Sequence, residues 1–463
     1  MRFFILFLLL IMHMRACSQT LGLEDFYSIV YDYHPVARQS DLIRERGELA
    51  LREGRGFFDP KLVSSYNTKD FKDKDYYDLW DTYLKIPTAL NIDFKAGYER
   101  NSGLFLNPEN NLPTGGLYYA GVSIPVGRGL FLNNRLYELR SGKLTRQQLQ
   151  ADASVVMNNL FLDATVTYWQ WYASYRKVKL LEEALRLARV RFQGIREAVI
   201  NGENAAIDSV ETQIQVQSLS NDLFKARLEF NNNWLLMQNM IWDAESAETE
   251  YLPDTVINRR EENLATFENH AQTSHPELRQ LTVKNQQLKL DKKLSAEQIK
   301  PQLDLNYNFL VESQGENAGA FQSNNYKAGI EFSFPLLLRK ERAKLRAAKV
   351  KISENELKLD QKARQILNKV RAAYNKIITT QQMIDQQEEA VNNYRIMLEG
   401  ERTKFENGES SVFLVNSRQN KLVNAQMKLV ELHATYQINL GQLYWASGYF
   451  PEWLQQNIAD ENN

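Results

Sequence analysis

The stretch from Leu336 through Glu399 is 64 residues long and contains neither proline nor glycine. It is rich in Ala, Leu, Lys, Gln and Glu, the residues that cost least inside a helix. This composition predicts one continuous helix, with Gly400 permitting a stop or a bend. Apolar residues recur in it at alternating steps of four and three: Leu359, Ala363, Ile366, Val370, Ala373, Ile377, Ile384, Val391, Tyr394 and Leu398, with Thr380 and Gln387 the only polar members of the series. That spacing is a coiled-coil seam. The first half of the chain shows the same steps in Trp171, Val178, Leu181, Leu185, Ala188, Phe192, Ile195 and Val199, inside a proline-free stretch from Val126 to Leu252. Helices of ~60 residues at ~1.5 Å rise each span ~90 Å, so an elongated molecule is predicted.

The two halves are copies of one unit. His34-Pro35 and His275-Pro276 lie 241 positions apart, and Gln39 and Gln280, Pro60 and Pro301, and Tyr66-Asn67 and Tyr307-Asn308 all keep that offset. Looser counterparts follow in Tyr119-Ala120-Gly121 against Tyr326 to Gly329, and in Gly202-Glu203 against Gly408-Glu409. A prolyl residue after histidine ordinarily just opens a helix; the register over several landmarks is what marks a tandem duplication. Each unit reads as helix, strands, very long helix, turn, long helix. The predicted division is a leader over 1–18, a first repeat over 19–250, a second over 251–450 and a tail over 451–463.

Between the helices lie segments of period two. Leu303, Leu305, Tyr307, Phe309 and Val311 alternate with Asp304, Asn306, Asn308 and Leu310; Tyr326, Ala328, Ile330, Phe332 and Phe334 alternate with Lys327, Gly329, Glu331 and Ser333; Leu90, Ile92, Phe94 and Tyr98 alternate with Asn91, Asp93, Lys95 and Glu99. A half-buried soluble sheet shows the same pattern. Lengths near the ~9 to 11 residues of a tilted membrane strand, aromatic residues on the apolar side, and export favour membrane strands. Two strands per unit, four per chain, are too few to close a barrel, so several chains are required. The first unit also carries an insertion, Thr68 to Gly115, with Tyr76, Tyr77, Trp80 and Tyr83. It shows three candidate strands, 62–69, 88–100 and 116–126, whereas helices at one side of the sheet demand an even number of crossings.

Export is read from the start of the chain. Arg2 precedes an apolar run from Phe3 to Met12, which is a signal-peptide pattern and too short to span ~30 Å of hydrocarbon. Cleavage after Ala16-Cys17-Ser18 leaves Gln19 first; the rival reading makes Cys17 an acylated residue of a weak lipobox. No later run of 18 apolar residues exists, so any membrane insertion is as a closed β-barrel. The charge balance of 56 basic against 57 acidic residues advertises no nucleic acid. One cysteine and five scattered histidines offer neither a disulfide framework nor a zinc site. No catalytic set or cofactor motif is present; Gly127-Arg128-Gly129 lacks the partners of a phosphate loop and reads as a strand-to-helix turn. Arg339, Lys340, Arg342, Lys344 and Arg346 read as the solvated base of a barrel.

The duplicated order, the strand endings Gly121-Val122-Ser123-Ile124-Pro125 and Phe332-Ser333-Phe334-Pro335, and the helix turns Asn201 to Asp208 and Asn407 to Leu414 together resemble the TolC-type outer-membrane efflux protein family. The resemblance implies a mainly α fold with membrane β-strands. It implies a homotrimer whose four strands per chain make one 12-stranded barrel in the outer membrane of a Gram-negative cell, continued by a periplasmic α-helical tunnel. It further implies a passive duct for small molecules or polypeptides, with no cofactor, fed by an inner-membrane pump through a periplasmic adaptor. A periplasmic coiled-coil structural or adaptor protein without a pore is the alternative.

On this reading Leu90, Ile92, Phe94, Tyr98, Leu305, Tyr307, Phe309, Ile330 and Phe332 face lipid, and the adaptor docks on Asn201, Gly202, Glu203, Asn204, Asn407, Gly408, Glu409 and Ser410. The two glycines supply tight reversals, and Asn204, Ser410 and Ser411 are expected to help cap the following helices. Asp208 falls where the family's first turn commonly carries aspartate, and Glu211 lies about one turn on, so both are expected at a pore constriction; a solvated helix start explains them equally. At the second turn the family's acidic and basic positions are occupied by Leu414, Ser417 and Ser410, so an aspartate iris or an Asp–Arg lock is not carried over. The cargo is not legible.

Overall fold

The computed structural model describes residues 19–243, 251–254, 259, 262–314 and 318–450; the leader with Cys17 and the tail 451–463 lie outside them. In chain order, β1 (Gln19–Leu21), α1 (Leu23–Tyr33) and α2 (Pro35–Gly56) lead into β2 (Lys61–Asp70), β3 (Asp75–Pro87), β4 (Asp93–Ser102) and β5 (Leu117–Gly127), then α3 (Asn134–Ile200) and α4 (Ala206–Gln238). The order then repeats with fewer strands: β6 (Tyr251–Pro253), α5 (Leu264–Thr273), α6 (Pro276–Glu297), β7 (Gln302–Glu312), β8 (Tyr326–Ser333), α7 (Arg339–Glu406) and α8 (Val412–Ser447). Both His-Pro steps end a short helix and open one of 22 residues, where the missing proline N–H would have had no helical partner anyway. The Nδ1 of His34 accepts the Val36 N–H at 3.2 Å.

The long helix of the second half starts at Arg339, three residues beyond the breaker-free start, and runs 68 residues through Gly400 without stopping. Its seam is as expected: Ile366, Val370, Ala373, Ile377, Thr380, Ile384, Val391 and Leu398 are all buried. The two polar members keep their hydrogen bonds, since Thr380 Oγ1 accepts from Asn439 Nδ2 at 3.0 Å and Gln387 Nε2 donates to the Ala425 carbonyl at 2.9 Å.

The chain forms two compact units, each drawn from both halves of the sequence: 1–42, 153–276 and 362–463 in one, 43–152 and 277–361 in the other. The first holds the largest apolar core, where Phe26, Tyr27 and Val30 of α1 meet Phe161, Ala164, Tyr168 and Trp171 of α3 and Phe450. Two of its buried hydroxyls are paired: Tyr27 shares a 2.6 Å hydrogen bond with Thr165, and Tyr168 donates to the Leu21 carbonyl at 2.9 Å. The parallel pair β1 with β6 belongs to the same unit.

The second unit contains one antiparallel sheet in the order β2-β3-β4-β5-β7-β8. The expectation of four strands per chain is therefore corrected to six. The missed strand is Asp75–Pro87, and the segment expected from Thr88 begins instead at Asp93, so Leu90 and Ile92 sit in the β3–β4 turn rather than in a strand. The miss has a physical cause: β3 carries Tyr77, Leu79 and Tyr83 on the face where the other strands are polar, which erases the period-two signal. Below the strands, helices contact in chain order within this unit. Arg146 of α3 meets Glu48 of α2 at 3.5 Å, Tyr137 of α3 donates to Asp291 of α6 at 2.7 Å, and Asn355 of α7 donates to the Leu281 carbonyl of α6 at 3.0 Å.

Candidate functional site

The register of the sheet sorts its side chains completely. Residues directly opposite in neighbouring antiparallel strands point to the same face. One face collects Leu62, Ser64 and Tyr66 of β2, Trp80, Thr82, Leu84 and Ile86 of β3, and Phe94, Ala96 and Tyr98 of β4. It continues through Tyr118, Val122 and Ile124 of β5, Leu303, Leu305, Tyr307 and Phe309 of β7, and Tyr326, Ile330 and Phe332 of β8. Of the residues expected there from sequence, Phe94, Tyr98, Leu305, Tyr307, Phe309, Ile330 and Phe332 share this face; Leu90 and Ile92 do not. Trp80, Leu84 and Ile86 join it unforeseen.

At their loop ends β3 and β4 also place Asp78 and Arg100 on this face, Tyr66 donating to Asp78 at 2.7 Å and Arg100 standing opposite Trp80. Several of its other polar atoms are paired. Ser64 and Thr82 hydroxyls lie 2.7 Å apart, Trp80 Nε1 donates to Ser64 Oγ at 3.3 Å, and Tyr98 donates to the Gly115 carbonyl at 2.7 Å. The aromatic rings line up as a row, with Trp80 to Tyr98 centroids at 6.2 Å, Tyr98 to Tyr118 at 5.2 Å and Tyr307 to Tyr326 at 5.5 Å.

The opposite face is wet and concave. Tyr119 donates to Asp81 at 2.8 Å, and Lys327 of β8 reaches Glu99 of β4 at 3.7 Å across two intervening strands. Those four residues with Tyr83, Lys95, Asn308 and Leu310 line a recess of about 200 Å³. Where the strands pass into helices, Asp93 is held by Arg135 at 3.0 Å and by Lys85 at 2.9 Å, and Asn133 donates to the Ala89 carbonyl at 3.1 Å. The turn that carries Leu90 and Ile92 is thereby clamped to the start of α3.

The two helix reversals are near replicas. Gly202 and Gly408 both have φ +79°, and in each the next residue's N–H bonds back five residues at 2.8 Å, Glu203 to Ala198 and Glu409 to Lys404. This is the left-handed helix ending that glycine favours. A side chain at either position would meet nothing within 4 Å, so the backbone angle alone demands glycine. Of the expected caps only Ser411 serves, its Oγ accepting from the Leu414 N–H at 3.4 Å. Ser410 donates instead to Glu401 at 2.6 Å, and the residue capping α4 is Ala205, without a side-chain bond.

Asp208 and Glu211 are half-buried in the first turns of α4. Burial, with the Asp208 charge beside it, pushes the Glu211 carboxyl above its ordinary pKa. Sequence reasoning missed the polar links between hairpins. Arg191 of α3 binds Asn416 Oδ1 at 2.7 Å and Gln419 Oε1 on α8, and burial, then Arg402, lowers its pKa to about 10. No periodicity marks such links, because each residue is unremarkable on its own helix.

A sheet with one greasy and one wet concave face, an even number of antiparallel strands and two unpaired edges defines the class of β-barrel membrane protein that closes only by assembling copies; here it is joined to long coiled-coil hairpins. Residues 269–449 match the family model described as outer membrane efflux protein, and the fold of most of the chain is that of solved outer-membrane channels. The outer membrane channel CmeC of Campylobacter jejuni is similar at a TM-score of 0.67 and 15% identity, over 95% of this chain and 89% of that one. The outer membrane protein VceC of Vibrio cholerae gives 0.65 and 12% over 92% and 96%, and the open-state MtrE outer membrane channel of Neisseria gonorrhoeae 0.63 and 12% over 92% and 88%. No curated protein matches the sequence. The family is one of channels rather than enzymes. Among the described residues, no helix is long and apolar enough to cross a membrane, and no cluster of His, Cys, Asp or Glu is arranged to hold a metal ion.

Proposed function

We infer that the chain is the subunit of a homotrimeric outer-membrane channel, the exit duct of a tripartite export system completed by a periplasmic adaptor and an inner-membrane pump. The observation that carries this is the partition of the six-stranded sheet into a mainly apolar face, charged only at its loop end through Asp78 and Arg100, and a charged concave face. Backbone groups at an open edge in lipid cost several kcal/mol each, so the unpaired edges call for further copies of the sheet.

The helices support the same reading. Residues Leu219, Leu223 and Ala226 of α4 pack on α3. A second stripe on α4, Ile207, Val210, Ile214, Phe224, Leu228 and Leu235, is exposed in the single chain and repeats at heptad-like steps suited to a neighbouring helix. The strands stand in the outer membrane and the helices in the periplasm. The reversals at Asn201–Asn204 and Asn407–Ser410, flanked by exposed Ile200, Ile207 and Phe413, are the adaptor-docking tips. Three copies of the Asp208–Glu211 pair form an acidic ring that favours cations. The duct acts passively and catalyses nothing.

The test is purification in detergent followed by planar-bilayer recording. Trimers that conduct are expected; a water-soluble monomer without conductance overturns the reading.

A further inference from the structure

The duplication identifies which strands are additional. At the offset of 241, Tyr66-Asn67 of β2 corresponds to Tyr307-Asn308 of β7, and Tyr119 to Gly121 of β5 corresponds loosely to Tyr326 to Gly329 of β8. The second half therefore has a strand pair leading straight back to a helix, whereas the first half has β3 and β4 inserted between the members of its pair. Four strands per chain give 12 in a trimer; six give another wall altogether.

The inserted strands are built into the sheet and not appended to it. Their ladders run through ten paired positions between β2 and β3 and ten between β3 and β4. Their outward residues continue the apolar face from Ile86 and Phe94 up to an aromatic row of Tyr66, Trp80, Tyr98 and Tyr118, which steps diagonally from Trp80 to Tyr98 because Arg100 stands opposite Trp80; Asp78 follows toward the loops. Tyr66 and Trp80 stand directly opposite each other. Aromatic girdles at the membrane interface are what a lipid-embedded barrel wall displays. The mutual hydrogen bonds of Ser64, Thr82 and Trp80 are arranged as hydrocarbon requires and water does not. The turn between β3 and β4 is clamped at its base through Asp93 and Asn133.

Width gives an independent argument. The sheet-side ends of four helices, α2, α3, α6 and α7, lie in the same compact unit as the sheet. Helices side by side at 8–10 Å occupy roughly 32–40 Å of wall. Strands ~4.8 Å apart and tilted by ~40° occupy roughly 6 Å each along the circumference, so six span about 38 Å and four only about 25 Å. Six strands match the four helices beneath them.

We propose that all six strands of each chain stand in the membrane wall, so that three copies close an 18-stranded barrel in which β8 of one copy pairs with β2 of the next. The proposal rests on the trimeric channel reading above. The edges suit each other: strands alternate in direction across the sheet, so with an even number β8 meets the neighbouring β2 antiparallel. Both edge strands also present apolar residues to the same side, Leu62 and Tyr66 on β2, and Ile330 and Phe332 on β8. Barrel diameter grows roughly in proportion to strand number, so the bore is about 1.5 times that of a 12-stranded wall, in the range of barrels that hold an open aqueous channel.

The test compares two cysteine pairs in the full-length protein in native outer membranes, treated with a short bifunctional maleimide. Leu62→Cys with Ile330→Cys joins β2 to the next copy's β8; Ala96→Cys with Ile330→Cys joins β4 to it. Crosslinked dimers and trimers from the first pair, with at least a tenfold lower yield from the second, are expected. The reverse pattern in trimers that still conduct places β2 and β3 outside a narrower wall and overturns the 18-stranded barrel while leaving the channel reading intact. Loss of both trimers and conductance in the unmodified protein overturns the channel reading itself. Counting strands by electron cryomicroscopy of the unmodified protein in nanodiscs decides without any substitution: 18 supports the proposal and 12 overturns it.

Discussion

Gln215 of α4 and Asn420 of α8 exchange both of their side-chain amide hydrogen bonds, Gln215 Nε2 to Asn420 Oδ1 at 2.5 Å and Asn420 Nδ2 to Gln215 Oε1 at 3.0 Å. A reciprocal pair of this kind ties the two helical hairpins at one fixed register. A typical hydrogen bond contributes ~0.5–1.5 kcal/mol net. Asn420→Ala and Gln215→Ala are each expected to cost about 1 kcal/mol, with a coupling of similar size in the double-mutant cycle. Denaturant unfolding of the four proteins measures it, and strict additivity would remove the pair from the account.

The two reversals should respond to side chains through φ alone. A residue with a Cβ in the left-handed region costs roughly 1–2 kcal/mol, less for asparagine. With open space around both glycines, Gly202→Ala and Gly408→Ala should lower the melting temperature alike, and the asparagine variants should do so less. Equal losses for alanine and asparagine would point to steric crowding instead.

The seam on α7 predicts position-specific losses. Ile384 is 1% exposed whereas its neighbour Gln386 is exposed. Ile384→Ala leaves a cavity and is expected to cost ~2–5 kcal/mol; Gln386→Ala should stay within ~0.5 kcal/mol. Thermal unfolding followed by circular dichroism distinguishes them.

Glu211 makes the region near the first reversal sensitive to pH. Its carboxyl is raised in the folded chain by burial and then by Asp208, so the fold holds a proton that the unfolded chain releases. Stability is fully present below the unfolded glutamate pKa of ~4.3 and declines as pH rises through the folded value. Glu211→Gln should therefore raise the melting temperature at pH 7.5 and leave it unchanged at pH 4. A gain of equal size at both pH values would contradict the assignment.

The faces of β8 should tolerate charge unequally. Arginine on the lipid side of a barrel strand costs ~2–4 kcal/mol near mid-membrane. Ile330→Arg is expected to deplete trimers in membranes, whereas Glu331→Arg, on the concave face, should assemble normally. Gel analysis of extracted membranes reads both, and normal assembly of the Ile330 variant would reverse the orientation of the sheet.

The long helices were legible before any coordinates, because a helix needs only local information: the absence of proline and glycine over Leu336–Glu399, and apolar side chains at steps of three and four. Even there, Gly400 did not interrupt α7, since tertiary contacts along the seam outweigh a propensity cost of ~1 kcal/mol. The strands of the second half were equally legible from their strict alternation.

What sequence alone determined is thus the periodic part of the protein: the duplicated order of elements, the seams, the glycine reversals and the greasy side of β7 and β8. Only the tertiary structure decided the strand count, because β3 carries apolar residues on both faces and its place emerges only from pairing with β2 and β4. Only it found the polar links Arg191–Gln419 and Gln215–Asn420, because a hydrogen bond between residues more than 200 positions apart leaves no periodic trace in either helix. Periodicity is a property of one element at a time; register between elements is a property of the assembled backbone.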